Sequence, residues 1–167
     1  MPKTRPSVDI VNADLCDKQH QEAIIRMLDA YALDPMGDGK PLAHEVRKNL
    51  IPGLQQHPTT IIFLAYSDNA PVGIAVCFRG FSTFAARPLI NIHDFAVLPA
   101  HRGKGIGRMM LQAVEDKAVR MGCCKLTLET QEYNRRARRV YESAGFSQAV
   151  YRPEAGGSLF YSKTLKS

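Results

Sequence analysis

No stretch of this chain approaches the roughly 20 consecutive apolar residues that a membrane helix needs, so no membrane partner is expected. The opening Met-Pro-Lys-Thr-Arg-Pro lacks the apolar core of a signal peptide, and the chain is read as soluble and cytoplasmic. Cysteine is scarce. Cys16, Cys77, Cys123 and Cys124 include an adjacent pair and show no metal-ligand spacing, which implies reduced, mostly structural thiols and no metal. No linker or low-complexity segment divides the chain, and its hydrophobic fraction of 45% is ordinary. Residues 1–167 are therefore read as a single domain.

The net charge of +6 invites a nucleic-acid partner. Few aromatics are interleaved with the basic residues, however, and no basic stripe runs along one helix, so none is expected. Much of the excess lies in two places: around a glycine-rich turn at 102–108, and in Arg135, Arg136, Arg138 and Arg139. A ligand carrying several phosphate charges would account for the first cluster. The second reads as a solvated helix face, with reach toward a phosphate of the same ligand as the alternative.

What is present centres on Leu89 to Gly107. An apolar run rich in Ile, Phe and Val breaks at Pro99, and a basic turn then leads into Arg108 to Met121. There Met109, Met110, Ala113, Val114, Ala118 and Met121 recur at helical spacing. Glycines at 103, 105 and 107 open the backbone to conformations closed to other residues and let a ligand approach bare N–H groups. At a helix start those groups lack partners and carry the positive end of the dipole, which suits an anion such as a pyrophosphate. The alternative is a tight strand-to-helix turn with solvated basic residues. A P-loop is absent, and the dinucleotide fingerprint Gly-x-Gly-x-x-Gly fails because Arg108 stands where its last glycine belongs.

What stands instead is Arg102-x-x-Gly105-x-Gly107. Downstream, Asn134, Ala137, Tyr141, Gly145 and Phe146 stand as Asn-x-x-Ala-x-x-x-Tyr-x-x-x-Gly-Phe. The first resembles the acyl-CoA pyrophosphate loop of the GNAT family of N-acetyltransferases, Gln/Arg-x-x-Gly-x-Gly/Ala, and the second resembles another signature of that family. Taken alone, Tyr141 also fits a core tyrosine on the apolar face of Ala137, Val140, Tyr141 and Ala144, with Asn134 as N-cap and Gly145 past the C-terminus. The resemblance is specific over Ile90 to Phe146.

The fold it implies is α+β: a mixed, mostly antiparallel central sheet flanked by helices, in the order βααβββαβαββ. The chain offers matching segments. A strand is expected at Val8 to Val11. A helix capped by Asp14 or Asp17 should end near Asp34-Pro35, and a second should cover Ala43 to Leu54 with Val46, Leu50 and Leu54 inward and Pro52 bending or ending it. Strands are expected at Thr59 to Tyr66, Val72 to Phe81, the central run, Lys125 to Glu129, Gln148 to Arg152 and Leu159 to Leu165.

The resemblance implies an acetyl-CoA-dependent enzyme that moves the acetyl group directly to a primary amine of a small molecule. A protein N-terminus or lysine as acceptor, or an acyl-CoA sensor without turnover, are the alternatives. By resemblance, the main chain of Phe95 and Val97 holds the pantetheine arm and the amides from Arg102 through Gly103, Lys104, Gly105, Ile106 and Gly107 to Arg108 hold the pyrophosphate. Asn134 and Ala137 belong to the same cofactor site, and Tyr141 protonates the departing thiolate. Strict alternation would put Asn91, His93, Phe95 and Val97 on one side of the strand and Asp94 and Ala96 on the other. Family members carry their base or water-holding groups at positions matching Asn91 and His93. His93 is favoured as base because imidazole changes charge near neutral pH; a core histidine is the alternative. Asp34, Asp38 and Glu154 could attract a cationic amine, and Arg79, Arg87 and Arg152 a carboxylate. A polyamine, an amino acid derivative, an aminoglycoside and a protein N-terminus thus all stay open. Many relatives pair through sheet edges or helices, so the resemblance leaves a homodimer open.

Overall fold

The computed structural model describes residues 7–150 and 152–165. Five strands and four helices follow as β1 (Val8–Asn12), α1 (Lys18–Leu33), α2 (His44–Gln56), β2 (Thr60–Ser67), β3 (Ala70–Ser82), β4 (Arg87–Val97), α3 (Ile106–Arg120), β5 (Leu126–Leu128) and α4 (Arg135–Ser143). The strands lie side by side in chain order, β1 to β4 antiparallel and β5 parallel to β4. This is the mixed, mostly antiparallel α+β sheet expected. Asp68 and Asn69, both at positive φ, make the tight turn between β2 and β3, a conformation that short polar side chains tolerate.

Alternation along the strands divides the core between two faces. Phe63, Ala75, Cys77, Ile90 and Ile92 pack under Ile106, Met110, Leu111 and Val114 of α3 and Tyr141 of α4. Ile62, Leu64, Ile74 and Val76 pack under Ala23, Ile24 and Met27 of α1 and Ile51 and Leu54 of α2. Asp17 caps α1 by accepting from the Gln19 and His20 amides, while Asp14 accepts from Cys16.

Three local expectations are corrected. The helix α2 runs through Pro52 to Gln56. Pro52 is exposed, and the ring removes a single helical bond to the carbonyl four residues earlier, which the burial of Ile51 and Leu54 offsets. Val46, expected inward, is 47% exposed. The two final strands, at Gln148 to Arg152 and Leu159 to Leu165, do not form among the described residues, and Tyr151 lies outside them. Pro153–Ala155 make a 3-10 turn, and one bond from the Ser158 hydroxyl to the Ala149 carbonyl (3.3 Å) lays the two arms alongside. Both arms are exposed, and a hairpin with no face to bury gains little from ladder hydrogen bonds.

β4 departs from simple alternation, with consequences for the site. Val76 faces Asp94 and Cys77 faces Ile92, so His93 is the extra residue of a β-bulge. The bulge shifts the phase by one. Phe95 and Val97 join Ile90 and Ile92 on the α3 face, whereas Ala96 packs on the α1 face. Asn91 therefore does not share a face with Phe95 and Val97, which corrects the alternation expected, and His93 stands at the bulge itself.

Candidate active site

β4 and β5 pair only from Ile90 to Ile92 against Leu126 to Leu128. Past that point they part, and a cavity of about 1000 Å³ opens between them. One wall is His93, Phe95 and Val97 with the glycine turn and the start of α3. The other is Glu129, Thr130 and Gln131 with Asn134 to Tyr141 of α4, and Tyr31, Asp34 and Met36 reach in from the end of α1.

Most of the sequence-derived site residues meet here: His93, Phe95, Val97, Arg102, Gly103, Gly105, Ile106, Gly107, Arg108, Asn134, Ala137 and Tyr141 all line the cavity. Asn91 and Lys104 do not. The Asn91 side-chain amide donates to the Thr127 hydroxyl at 3.1 Å, tying β4 to β5 just below the split. Lys104 is exposed on the turn.

The turn has the properties of an anion cradle. Gly103 and Gly105 sit at φ +74° and +84°, and a Cβ on either would meet nothing within 4 Å, so open space lies before them. The first bond of α3 runs from the Met109 amide to the Gly105 carbonyl, leaving the Ile106, Gly107 and Arg108 amides without helical partners. Arg102 is committed elsewhere: its amide donates to the Pro99 carbonyl, its Nε to the Val97 carbonyl at 2.8 Å and its guanidinium to Asp34. Gly107 lies within 3.6 Å of Phe95 and Val140 as measured from an added Cβ, so the turn packs closely on both walls.

α4 brings the second group. The Asn134 side chain accepts from the Ala137 amide at 3.2 Å, and Gly145, at φ +90°, ends the helix as the amide of Phe146 returns to the Tyr141 carbonyl. The Tyr141 ring lies edge-on to Phe95 (centroids 5.8 Å apart) and tilted against Phe146. Burial, with a smaller contribution from Tyr31, pushes its hydroxyl up to about 12. It is therefore a protonated donor at neutral pH. Arg135, Arg136 and Arg139, read from sequence as a solvated face, line the cavity with Arg108, and none of these has a carboxylate within 4.0 Å among the described residues. Only Arg138 turns away, toward Glu142 and the Glu132 carbonyl. Free amides, open glycines and unpaired arginines along a split between strands fit a polyphosphate with an extended arm.

His93 is exposed at the bulge and lies edge-on to the Phe78 ring at 5.5 Å. Burial raises the carboxyl of Asp94, and the neighbouring His93 partly offsets the rise. Of the six charges offered for an acceptor, only Asp34 lines the cavity. Arg87 is bound to the Gly122 carbonyl, and Arg152 and Glu154 face each other at 4.0 Å. Sequence reasoning missed Glu129 and Gln131 as cavity residues. Their signal was position: they flank the end of a strand whose partner is about to leave it. The thiols are not part of this chemistry. All four cysteines are free, and burial pushes Cys77 up to about 12.

A sequence model of the acetyltransferase (GNAT) family matches residues 24–146. An uncharacterized N-acetyltransferase of Bacillus subtilis, YhfO, is 32% identical over 95 residues, 57% of this chain and 63% of that protein. The thialysine N-epsilon-acetyltransferase of Bos taurus is 34% identical over 74 residues, 44% of this chain and 43% of that enzyme. The matched stretch thus spans less than two thirds of either relative. Among solved structures, an aminoglycoside N-acetyltransferase in complex with CoA superposes with a TM-score of 0.73 at 18% identity, covering 99% of this chain and 100% of that one.

Proposed function

The chain belongs to the acetyltransferase (GNAT) family, and we propose that it transfers the acetyl group of acetyl-CoA directly to the primary amine of a small molecule. The observation that carries this is the convergence of the open glycine turn, the split between β4 and β5 and the buried, protonated Tyr141 on one cavity.

The amides from Gly103 to Arg108 would hold the diphosphate, with Lys104 and Arg108 supplying charge, and the unpaired edge of β4 at Phe95 and Val97 the pantetheine arm. The carbonyl then lies in the split. An alkylamine with a pKa of about 10.4 arrives mostly as ammonium. His93 accepts its proton, through water where the distance requires it, and the nitrogen attacks the carbonyl. As the new C–N bond forms and the C–S bond breaks, the Tyr141 hydroxyl gives its proton to the departing sulfur, and the proton that the nitrogen sheds on becoming an amide passes through water to restore the Tyr141 hydroxyl. Asn134 caps α4 and fixes that hydroxyl's helix. A small amine is favoured over a protein chain by the thialysine enzyme among its relatives.

Thermal unfolding with and without acetyl-CoA, followed by thiol release with a panel of small amines, tests this. A ligand held at a hundred times its dissociation constant stabilises the fold by about 2.7 kcal/mol, so a rise in Tm is expected, with thiol released by at least one amine. A rise with no release from any amine would favour a protein acceptor or a sensor. No rise would remove the cofactor assignment.

A further inference from the structure

One chain of hydrogen bonds links residues of the two cavity walls. Arg102 donates through Nε to the Val97 carbonyl (2.8 Å) and through Nη2 to the Asp34 carboxylate. The other oxygen of that carboxylate accepts from the Met36 amide at 2.9 Å. On the far wall, the Gln131 side-chain amide donates to the Met36 carbonyl at 3.4 Å. The ion pair at the centre is sheltered, with 11% of the Asp34 side chain and 27% of Arg102 exposed. The planar fork of a guanidinium fixes two acceptors in one plane, which a lysine ammonium does not.

We propose that Arg102 is a positioning residue, not a phosphate ligand: it couples the glycine turn to the segment Asp34–Met36, so that ordering the turn around the donor also orders the wall against which the amine docks. This rests on the acetyl-CoA reading above. The first residue of the turn motif thereby serves the acceptor side. Asp34, which sequence alone offered as a direct partner for a cationic amine, has its charge already answered and acts through Met36.

The test is hydrogen exchange at the amides of Met36, Gly37 and Gly39, with and without saturating CoA, in the wild type, Asp34→Asn, Arg102→Gln and Arg102→Lys. Calorimetric CoA affinities are measured beside it. A coupling of ordinary size is about tenfold, so CoA should slow exchange at these amides by about that factor in the wild type. The slowing should vanish in Asp34→Asn while CoA affinity changes less than about threefold. A merely structural bridge would speed exchange equally with and without CoA, and that result overturns the proposal. So does slowing that survives Asp34→Asn, or CoA affinity that falls in Arg102→Gln but not in Asp34→Asn. Arg102→Lys, which keeps the charge and loses the fork, should behave as Arg102→Gln does; retention of full coupling there also overturns it. Failure of CoA to bind the wild type at all would show as absent heat and would sink the acetyl-CoA reading itself, a result distinct from these.

Discussion

Tyr141 is caught between two demands that its surroundings reconcile. Its ring fills the α3 face of the core beside Phe95 and Phe146, so most of its contribution to stability comes from carbon. The residue lines the cavity, and the burial that stabilises the ring also pushes the hydroxyl up to about 12. Replacement by phenylalanine keeps the ring and removes the acid. Turnover should fall about a hundredfold or more, the ordinary worth of a positioned acid, while CoA affinity and Tm stay close to wild type. Steady-state kinetics beside calorimetry separates the two, and undiminished turnover would take Tyr141 out of the acid role. Because burial favours the neutral form and pushes its pKa up to about 12, Tyr141 stays a donor well above neutral pH, and a fall in rate at mildly alkaline pH is expected to come from another group.

Among the elements, the strand, turn and helix from β4 to α3 carry the donor site, and the turn works because nothing stands in front of its amides. Gly105→Val places a branched side chain in that space at φ +84°, a left-handed conformation costing about 1–2 kcal/mol for an L-residue. The cores on both sheet faces do not touch this position, so circular dichroism should report a folded protein while calorimetry finds no CoA binding. Binding at wild-type affinity would refute the cradle. This element was also the most legible in the sequence, since glycine spacing and helical periodicity are local signals. The bulge at His93 was not. One inserted residue leaves no mark in the strand's composition, yet it sends Phe95 to the face opposite the one alternation implies relative to Asn91. Val46 is a related case: periodicity finds an apolar stripe but not how much of it meets the sheet, and Ile51 and Leu54 bury while Val46 does not. The Arg102–Asp34 pair joins residues 68 apart in sequence, a distance over which no spacing rule operates.

Across the whole molecule, the excess of positive charge acquires a location. Arg108, Arg135, Arg136 and Arg139 converge on one cavity from two helices that are separate in sequence, joined where Arg108 reaches the Ser143 carbonyl at 3.5 Å. Although Asp34 and Glu129 also line it, positive charge predominates in this cavity, and such a field raises the local concentration of an anionic ligand and speeds its capture. It also costs stability through mutual repulsion, which a bound polyanion relieves. Screening reaches about 10 Å at 0.1 M salt and 3 Å at 1 M, so CoA affinity should weaken steadily across that range, chiefly through slower association. Arg139→Ala should reduce the steepness of that dependence without moving Tyr141 chemistry. Stopped-flow binding of CoA at a series of salt concentrations, in the wild type and this variant, provides the comparison. Equal slopes in both proteins would mean that Arg139 does not feel the ligand, and the charge of α4 would return to being a solvated helix face.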